Sequence, residues 1–330
     1  MGKILFMQAV AFYQREFIDY LEKTLETKEP KNLYEPVTYI LGLGGKRLRP
    51  VLTLMATELF DGNYRQALNA AMAVEVFHNF SLVHDDIMDG APLRRGSQTV
   101  HEKWDINTGI LSGDAMLINA YQLFESYDHD VFKELVQLFS KTAVAVCEGQ
   151  QYDIDFETRD DVTIPEYLKM IEYKTAVLVA CALKMGAIIA KTTLKNQESI
   201  YEFGRNLGIA FQIQDDYLDA FGDPKTFGKQ VGGDIIENKK TFLYLKSLDR
   251  ASQTQQKQLY DLFSITPDDP TSKIAAVKAI FNESGAVNAT TKAIQEYTQK
   301  AFDALDEIEL PEGRKAVFKA FGEDLMMRSV

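Results

Sequence analysis

The acidic pentad DDxxD occurs twice in this chain, as Asp85-Asp86-Ile87-Met88-Asp89 and as Asp215-Asp216-Tyr217-Leu218-Asp219. Each copy follows an apolar run with helical spacing, residues 77–83 in one case and 209–213 in the other, and each has apolar residues inside it. On a helix the first and fifth residues of a pentad stand one turn apart on one side. Asp85 with Asp89, and Asp215 with Asp219, therefore form carboxylate pairs that a single ion can bridge. A lone pentad of this kind is commonly a solvated turn, but two copies with apolar neighbours are not explained that way. Confined without counter-charge, these carboxylates would repel one another and resist ionisation, so the pattern calls for hard cations. Mg²⁺ suits it, because that ion takes carboxylate oxygens, keeps waters and completes its shell with substrate phosphates. An EF-hand is excluded, since neither copy has ligands at alternate positions, the central glycine or the closing glutamate.

The rest of the chain places this pair in an all-α protein. Over 330 residues, 46% hydrophobic and 25% charged, helical periodicity runs almost throughout and strand alternation is nearly absent. Breaks are expected at residues 30–36, 42–50, 61–63, 89–96, 153–165, 222–233 and 264–272, with helices of about fifteen to twenty-five residues between them, long enough for a bundle. No Gly-, Ser- or Pro-rich linker divides the chain, so residues 1–330 are read as one domain. A net charge of −12 argues against a nucleic-acid partner. The N-terminal MGKILFMQAVAFYQREF reads as an amphipathic helix without a cleavage pattern, and no stretch is apolar enough for an integral membrane segment. Cys147 and Cys181 lack a CxxC or His partner, which implies buried free thiols in a reducing, cytoplasmic setting.

A carboxylate–Mg²⁺ site attracts phosphate, and a phosphate also needs donors on its far side. Gly44-Gly45-Lys46-Arg47-Leu48-Arg49-Pro50 joins two glycines to three cations at the start of a helix, with Lys46 and Arg49 as the candidate anion holders. Such a cluster alone is often a surface feature. It gains weight from Leu93-Arg94-Arg95-Gly96, which follows the first pentad directly and aims adjacent arginines to different sides, enough for two phosphate groups. Lys229 and Lys239 follow the second pentad, and Lys240 beside them reads as solvated. His78, two turns before Asp85 on the same side, is a candidate phosphate ligand or else a core histidine. Glu75 makes an ExxH with it, which raises a di-iron carboxylate bundle; no other histidine has a Glu three residues before it, which that fold requires.

With these residues in place the chain closely resembles the trans-polyprenyl diphosphate synthases, over residues 44–241 and in the family's order: GGKRLRP, EVFHNFSLVHDDIMD, APLRRGSQTVH, SGDAML, EGQQYDID, YKTAVL, AFQIQDDYLD, FGK and GGDIIENKKT. The resemblance implies an all-α bundle around a deep central cavity, the isoprenoid synthase fold, usually a homodimer. It implies condensation of isopentenyl diphosphate with an allylic diphosphate: ionisation of the allylic C–O bond, attack by the isopentenyl double bond, then proton loss. Lys46, Arg49, His78 and Arg95 would bind isopentenyl diphosphate; Arg94, Lys174, Lys229 and Lys239 would hold the allylic diphosphate; Thr175 and Gln212 match positions beside it and the forming cation. Asp85, Asp89 and Asp215 would be the principal ligands of about three Mg²⁺ ions, with Asp86, Asp216 and Asp219 supporting them directly or through water. No protein nucleophile is needed, in keeping with a chain that has no evident triad or reactive cysteine.

Ser81, Phe77 and Phe80 precede the first pentad on its helix, where the family's growing tail runs. An aromatic at the fifth position before the first Asp, with no insertion in the pentad, resembles the twenty-carbon synthases and implies geranylgeranyl diphosphate, with farnesyl or longer products as alternatives. A terpene cyclase would share the first motif but not the second pentad or the Lys46/Arg49 cluster. A non-catalytic partner subunit would lack some of these ligands. Whether residues 153–165 close over the site is left open by the sequence.

Overall fold

The computed structural model describes residues 2–26, 28–223 and 231–327. Among them, regular structure is helical apart from one two-residue hairpin, β1 (Leu93–Arg94) with β2 (Ser97–Gln98), which confirms the all-α reading. The chain divides into two compact units, each discontinuous in sequence: residues 1–141 with 181–200, and residues 142–180 with 201–330. No helix among the described residues is long and apolar enough to cross a membrane.

In the first unit, α4 (Leu68–Met88) packs against α1 (Gly2–Thr24), α2 (Lys31–Gly42), α3 (Leu48–Leu59), α5 (Val100–Lys103) and α6 (Ile106–Gln122). The sequence dictates that position: residues 70–77 of α4 are buried one after another, and a helix apolar on all sides belongs in the middle of a bundle. Pro30 precedes α2, but Pro36 lies inside it, so the break expected over residues 30–36 is confined to its start. The one ionised interruption of α4's buried run is Glu75, and it has a fixed partner. Arg47, held in the left-handed region at φ 49° as it opens α3, donates to the Glu75 carboxylate and to the Leu41 carbonyl, and both side chains of the pair are about 3% exposed. Asn79 adds a second donor to Glu75 at 3.0 Å. The ExxH is thus a structural ion pair and not half of a di-iron site.

The chain passes between the units within α7 (His129–Thr158), α9 (Val177–Ile189) and α10 (Leu194–Phe221). The second unit adds α8 (Ile164–Ile171), a π-helical turn (Glu172–Ala176), α11 (Gly233–Ile236), α12 (Phe242–Arg250), α13 (Gln253–Leu262), α14 (Thr271–Glu283), α15 (Ala286–Asp306) and α16 (Glu312–Met326). Ile171, Ile213, Phe242, Tyr244, Leu259 and Phe281 lie in its core. The break expected over residues 153–165 is shorter than the sequence suggests, because α7 continues to Thr158 and Asp153 is helical. Lys240 explains the extension. It is no solvated lysine: its side chain is 8% exposed and donates to the carbonyls of Phe156 and Glu157, terminal acceptors that the helix itself cannot satisfy. The remaining turn is fixed by Arg159, which bridges Asp161 and Glu166, and by the Thr163–Glu166 capping box of α8. Cys181 is buried as expected, but Cys147 is exposed, on a stretch of α7 that also turns Val144 outward.

The Arg47–Glu75 pair sets a stability prediction. Arg47→Met strands a buried carboxylate and is expected to cost about 3–5 kcal/mol in urea unfolding, whereas Arg47→Met with Glu75→Leu recovers most of that loss. A single variant as stable as the parent would show that Glu75 is not ionised in the fold.

Candidate active site

Both pentads end helices. Asp85 and Asp86 lie in the last turn of α4, Asp89 is its C-cap, and Asp215, Asp216 and Asp219 lie in the last two turns of α10. The C-terminal end of a helix carries negative partial charge, so carboxylates there are destabilised twice, by one another and by the helix. Within each pentad the side chains divide. Asp85, Asp215 and Asp219 are half-buried and Asp89 is exposed, whereas the second aspartate of each pentad, Asp86 or Asp216, is buried.

Asp86 is 1% exposed, and its Oδ1 accepts from Arg94 Nε at 2.7 Å and Nη2 at 2.6 Å; the same Nη2 stands 3.5 Å from Asp85 Oδ2. Burial raises the pKa of Asp86 while Arg94 opposes the rise. Arg94 comes from β1 and its neighbour Arg95 from the turn that follows, whose two central residues both have positive φ, 54° at Arg95 and 76° at Gly96, the primed turn that a tight hairpin demands. The hairpin sends the two arginines apart, as the sequence suggests. Arg95 donates to the Gly44 carbonyl, and its guanidinium lies 3.0 Å from where a Cβ on Gly45 would stand; Gly45 itself is at φ 123°, a conformation that favours glycine.

Arg95 thereby joins the GGKRLR segment to the pentad helix. Arg49 Nη1 lies 3.1 Å from His78 Nε2, which makes that nitrogen the acceptor and puts the proton of a neutral ring on Nδ1. Burial, then the charges of Arg49, Arg95, Arg94 and Arg47, hold the His78 pKa well below the usual histidine value. Burial likewise lowers Arg49 and Arg95. Arg49 Nε is buried without a hydrogen-bond partner. Lys46 is exposed on the same segment, and its carbonyl accepts from Gln14 Nε2 at 3.3 Å. Three of the four residues expected to bind isopentenyl diphosphate, Arg49, His78 and Arg95, thus belong to one neighbourhood of crowded positive charge, and Lys46 lies on the same segment as Arg49.

In the second unit, Asp216 is the hub. Its Oδ2 accepts from the Tyr167 hydroxyl and from Phe242 N–H at 3.5 Å, and its Oδ1 accepts from Gln212 Nε2 at 3.1 Å. Gln212 Oε1 in turn lies 3.4 Å from Thr175 Oγ1. Asp219 Oδ2 accepts from the Asp234 amide at 3.0 Å, and the Asp219 carbonyl accepts from Gly232 N–H at 2.6 Å. Asp234 is a site residue that sequence reasoning missed, although it lies in the GGDIIENKKT motif. Burial first, then Asp216 and Asp219, push its pKa to about 8; burial first, with Asp215 adding, pushes Asp216 to about 7. Lys174 lies in the π turn, and a Cβ on Gly149 would come within 2.2 Å of the Lys174 nitrogen, so only glycine lets α7 approach that turn. One turn further along α7, Asp153 Oδ2 holds Lys174 Nζ at 2.6 Å. Lys239 pairs with Glu237 at 2.8 Å; burial opposes its charge, but Glu237, Asp234 and Asp153 keep its pKa above the ordinary lysine value. Lys229 lies outside the described residues.

The donor set fits Mg²⁺. Each pentad offers outward carboxylates one turn apart, and Asp86 Oδ2 is buried without a hydrogen-bond partner. Among the described residues no three carboxylate, imidazole or thiol groups already converge as a complete cage.

Phe77 is 1% exposed, with its ring 5.4 Å from Phe80 and 5.2 Å from Phe139, and Phe80 contacts His84 at 4.8 Å. Phe139 also meets Tyr121 and Phe124 at 4.9 and 5.1 Å. The candidate floor is therefore an aromatic cluster, of which the sequence singles out only Phe77 and Phe80. Ser81 is half-buried, with its hydroxyl on the His78 carbonyl.

Helical units that each carry an acidic pentad with lysines and arginines near it suit an enzyme that handles diphosphates. The chain belongs to the polyprenyl synthetase family, whose model matches residues 30–283, and is thus a prenyltransferase. It is similar to a geranylgeranyl diphosphate synthase of Methanosarcina mazei, 36% identical over 288 residues and 87% of each chain. It is also similar to a geranylfarnesyl diphosphate synthase of Natronomonas pharaonis, 34% identical over 322 residues and 92% of each chain. A crystal structure of geranylgeranyl pyrophosphate synthase superposes with a TM-score of 0.93 at 55% identity, covering 97% of this chain and 99% of that one.

The raised carboxylates predict an unusual pH response. Asp216 and Asp234 bind a proton more tightly when folded, at about 7 and about 8, than at the ordinary value of 3.8. Their contribution is therefore fully present at low pH and is lost as pH rises towards 8. The metal-free protein should show a falling Tm between pH 5 and pH 8.5, Asp234→Asn should flatten that fall, and Mg²⁺ with inorganic diphosphate should raise Tm most at the alkaline end. A metal-free Tm that rises over this range in both proteins would contradict the assignment.

Proposed function

We propose that this prenyltransferase condenses isopentenyl diphosphate with an allylic diphosphate and releases geranylgeranyl diphosphate as its main product, residues 1–330 acting as one polyprenyl synthase domain. The observation that carries this reading is the division inside each pentad, with Asp85, Asp89, Asp215 and Asp219 half-buried or exposed at helix ends while Asp86 and Asp216 are buried, and with Arg94 against Asp86 in one unit and Lys174 against Asp153 in the other. Two similar proteins bear the names of geranylgeranyl synthases, which supports the twenty-carbon product, and the geranylfarnesyl synthase marks a longer chain as the runner-up.

Asp85, Asp89 and Asp215 would hold Mg²⁺, about three ions in all, with Asp219 in support. Bound Mg²⁺ would neutralise the diphosphate oxygens and stabilise them as a leaving group. Arg49 and Arg95 bind and orient isopentenyl diphosphate with Lys46, and neutral His78 offers its Nδ1–H as a donor. Lys174, Lys239 and Lys229 hold the allylic diphosphate, and Lys174 exchanges Asp153 for it. Arg94 stays against Asp86 and adds positive potential beside Asp85. Gln212 and Thr175 present oxygens to the carbon that becomes positive, and the departing diphosphate accepts the proton lost at the end. The aromatic cluster around Phe77 and Phe80 excludes water and stops the tail. A second copy of the chain would cover Ile106, Ile110, Leu111 and Ile118, which are 41–59% exposed along one side of α6; this supports a homodimer. A soluble, cytoplasmic enzyme follows from the same reading.

Incubation with farnesyl diphosphate, labelled isopentenyl diphosphate and Mg²⁺ is expected to yield a twenty-carbon product. Asp85→Ala or Asp215→Ala should lower turnover about 10²–10³-fold, and Phe80→Ala should lengthen the product. Diphosphate release that does not depend on isopentenyl diphosphate would instead identify a cyclase, and unchanged length in both Phe77→Ala and Phe80→Ala would remove the floor. For the assembly, light scattering should give a mass twice that of the chain, and Ile110→Asp with Leu111→Glu should halve it; a monomeric parent would refute the homodimer.

A further inference from the structure

We infer that Asp216 is a buried anchor that fixes the direction of the Gln212 side-chain amide, and that Tyr167 is a positioning residue which acts through it. The inference rests on the reading above for what happens beside Gln212, but its geometry stands apart from that reading.

Asp216 Oδ1 receives the Gln212 NH₂ group at 3.1 Å. The amide is thereby oriented with Oε1 towards Thr175 Oγ1, 3.4 Å away. Asp216 itself cannot turn to offer a different edge. Its other oxygen takes the Tyr167 hydroxyl and the Phe242 N–H, and the side chain is buried at 7% exposure with Tyr167 at 2%. Four elements thus converge on the Asp216–Gln212 pair: α8 through Tyr167 and the start of α12 through Phe242 on the carboxylate, the π turn through Thr175 on the amide, and α10, which carries both. Gln212 lies on α10 one turn before Asp215 and Asp216, and Thr175 adjoins Lys174, so the amide stands where carbon–oxygen cleavage would leave positive charge. Which end of the amide meets that charge matters. Oε1 is a preset negative dipole, whereas a flipped amide would aim two N–H groups at a cation. The first pentad is built alike, since buried Asp86 grips Arg94 with one oxygen and takes no outward position. The sequence assigns Asp216 a place among the metal ligands; the inference moves it behind them.

The test compares Tyr167→Phe, Gln212→Met, their double variant and Asp216→Asn with the parent in labelled isopentenyl diphosphate turnover. Tyr167→Phe and Gln212→Met should each lower kcat about tenfold, the double variant should be no slower than the worse single one, and KM for isopentenyl diphosphate and the Mg²⁺ concentration for half-maximal rate should stay within about twofold of the parent. Independently of turnover, Asp216→Asn should keep the parent's rise in Tm on addition of Mg²⁺ with inorganic diphosphate. An unchanged kcat in Tyr167→Phe, or fully multiplicative losses in the double variant, would overturn the positioning role. Loss of the Mg²⁺-diphosphate thermal shift in Asp216→Asn would return Asp216 to the metal shell, and this arm decides the matter even if Tyr167→Phe does not fold. An inactive parent would refute the function proposed above and leave the thermal-shift arm to judge the anchor.

Discussion

Crowding of like charge governs this chain. Carboxylates are gathered where helix dipoles already place negative charge, at the ends of α4 and α10, and arginines are gathered around a histidine whose pKa burial first, then their charge, holds down. Neither arrangement serves stability. On the function proposed above, a divalent cation would relieve the first and a phosphate group the second. The fold tolerates both because the apolar run of residues 70–77 in α4, and the core around Phe242 and Tyr244, supply burial that does not depend on the site. The same logic explains why no nucleophile is needed. Charges preset for a leaving diphosphate do their work before any bond breaks.

The charged residues that do stabilise the fold are distinguishable from these by their partners. Arg47 with Glu75, Arg94 with Asp86, and Lys240 with the last carbonyls of α7 each close a local electrostatic deficit within the protein. Arg49 Nε and Asp86 Oδ2 leave theirs open. Buried polar atoms that lack a partner are costly, and two of opposite chemical character beside one pentad mark the neighbourhood as built for something the chain itself does not contain.

Much of this was legible in the sequence. The repeated pentad, the spacing of Asp85 to Asp89 and of Asp215 to Asp219, and the divergence of Arg94 from Arg95 are properties of local backbone geometry, and they survive intact in the structure. What the sequence hid depends on contacts distant along the chain. Nothing local shows that Glu75 belongs to Arg47, that Asp153 belongs to Lys174, or that Tyr167 and Phe242 converge on Asp216. Lys240 looked solvated because its partners are main-chain carbonyls of another helix, which leave no trace in side-chain pattern. Asp153 looked like part of a loop because a run of acidic and polar residues resembles one, until the cap that extends α7 is seen. Gly149 is the instructive case: a glycine inside a helix reads as a mild defect, and its purpose appears only where the Lys174 backbone comes within reach of a missing Cβ.

The first pentad shares α4 with Phe77 and Phe80, and on the function proposed above this makes the helix a ruler. Asp85 and Phe77 are eight residues apart, about 12 Å along a rigid axis at 1.5 Å per residue. Because neighbouring helices bury α4 at every position from 70 to 77, that axis cannot slide without repacking the first unit. On that proposal, product length would be set by which side chains occupy successive turns. One turn, about 5.4 Å, is of the same order as one extended isoprene unit. Chain length should accordingly change in whole units when a single aromatic such as Phe80 is lost, while the ionisation machinery at the other end of the helix stays in place. This separation lets one family hold its chemistry fixed while its members differ in what they release.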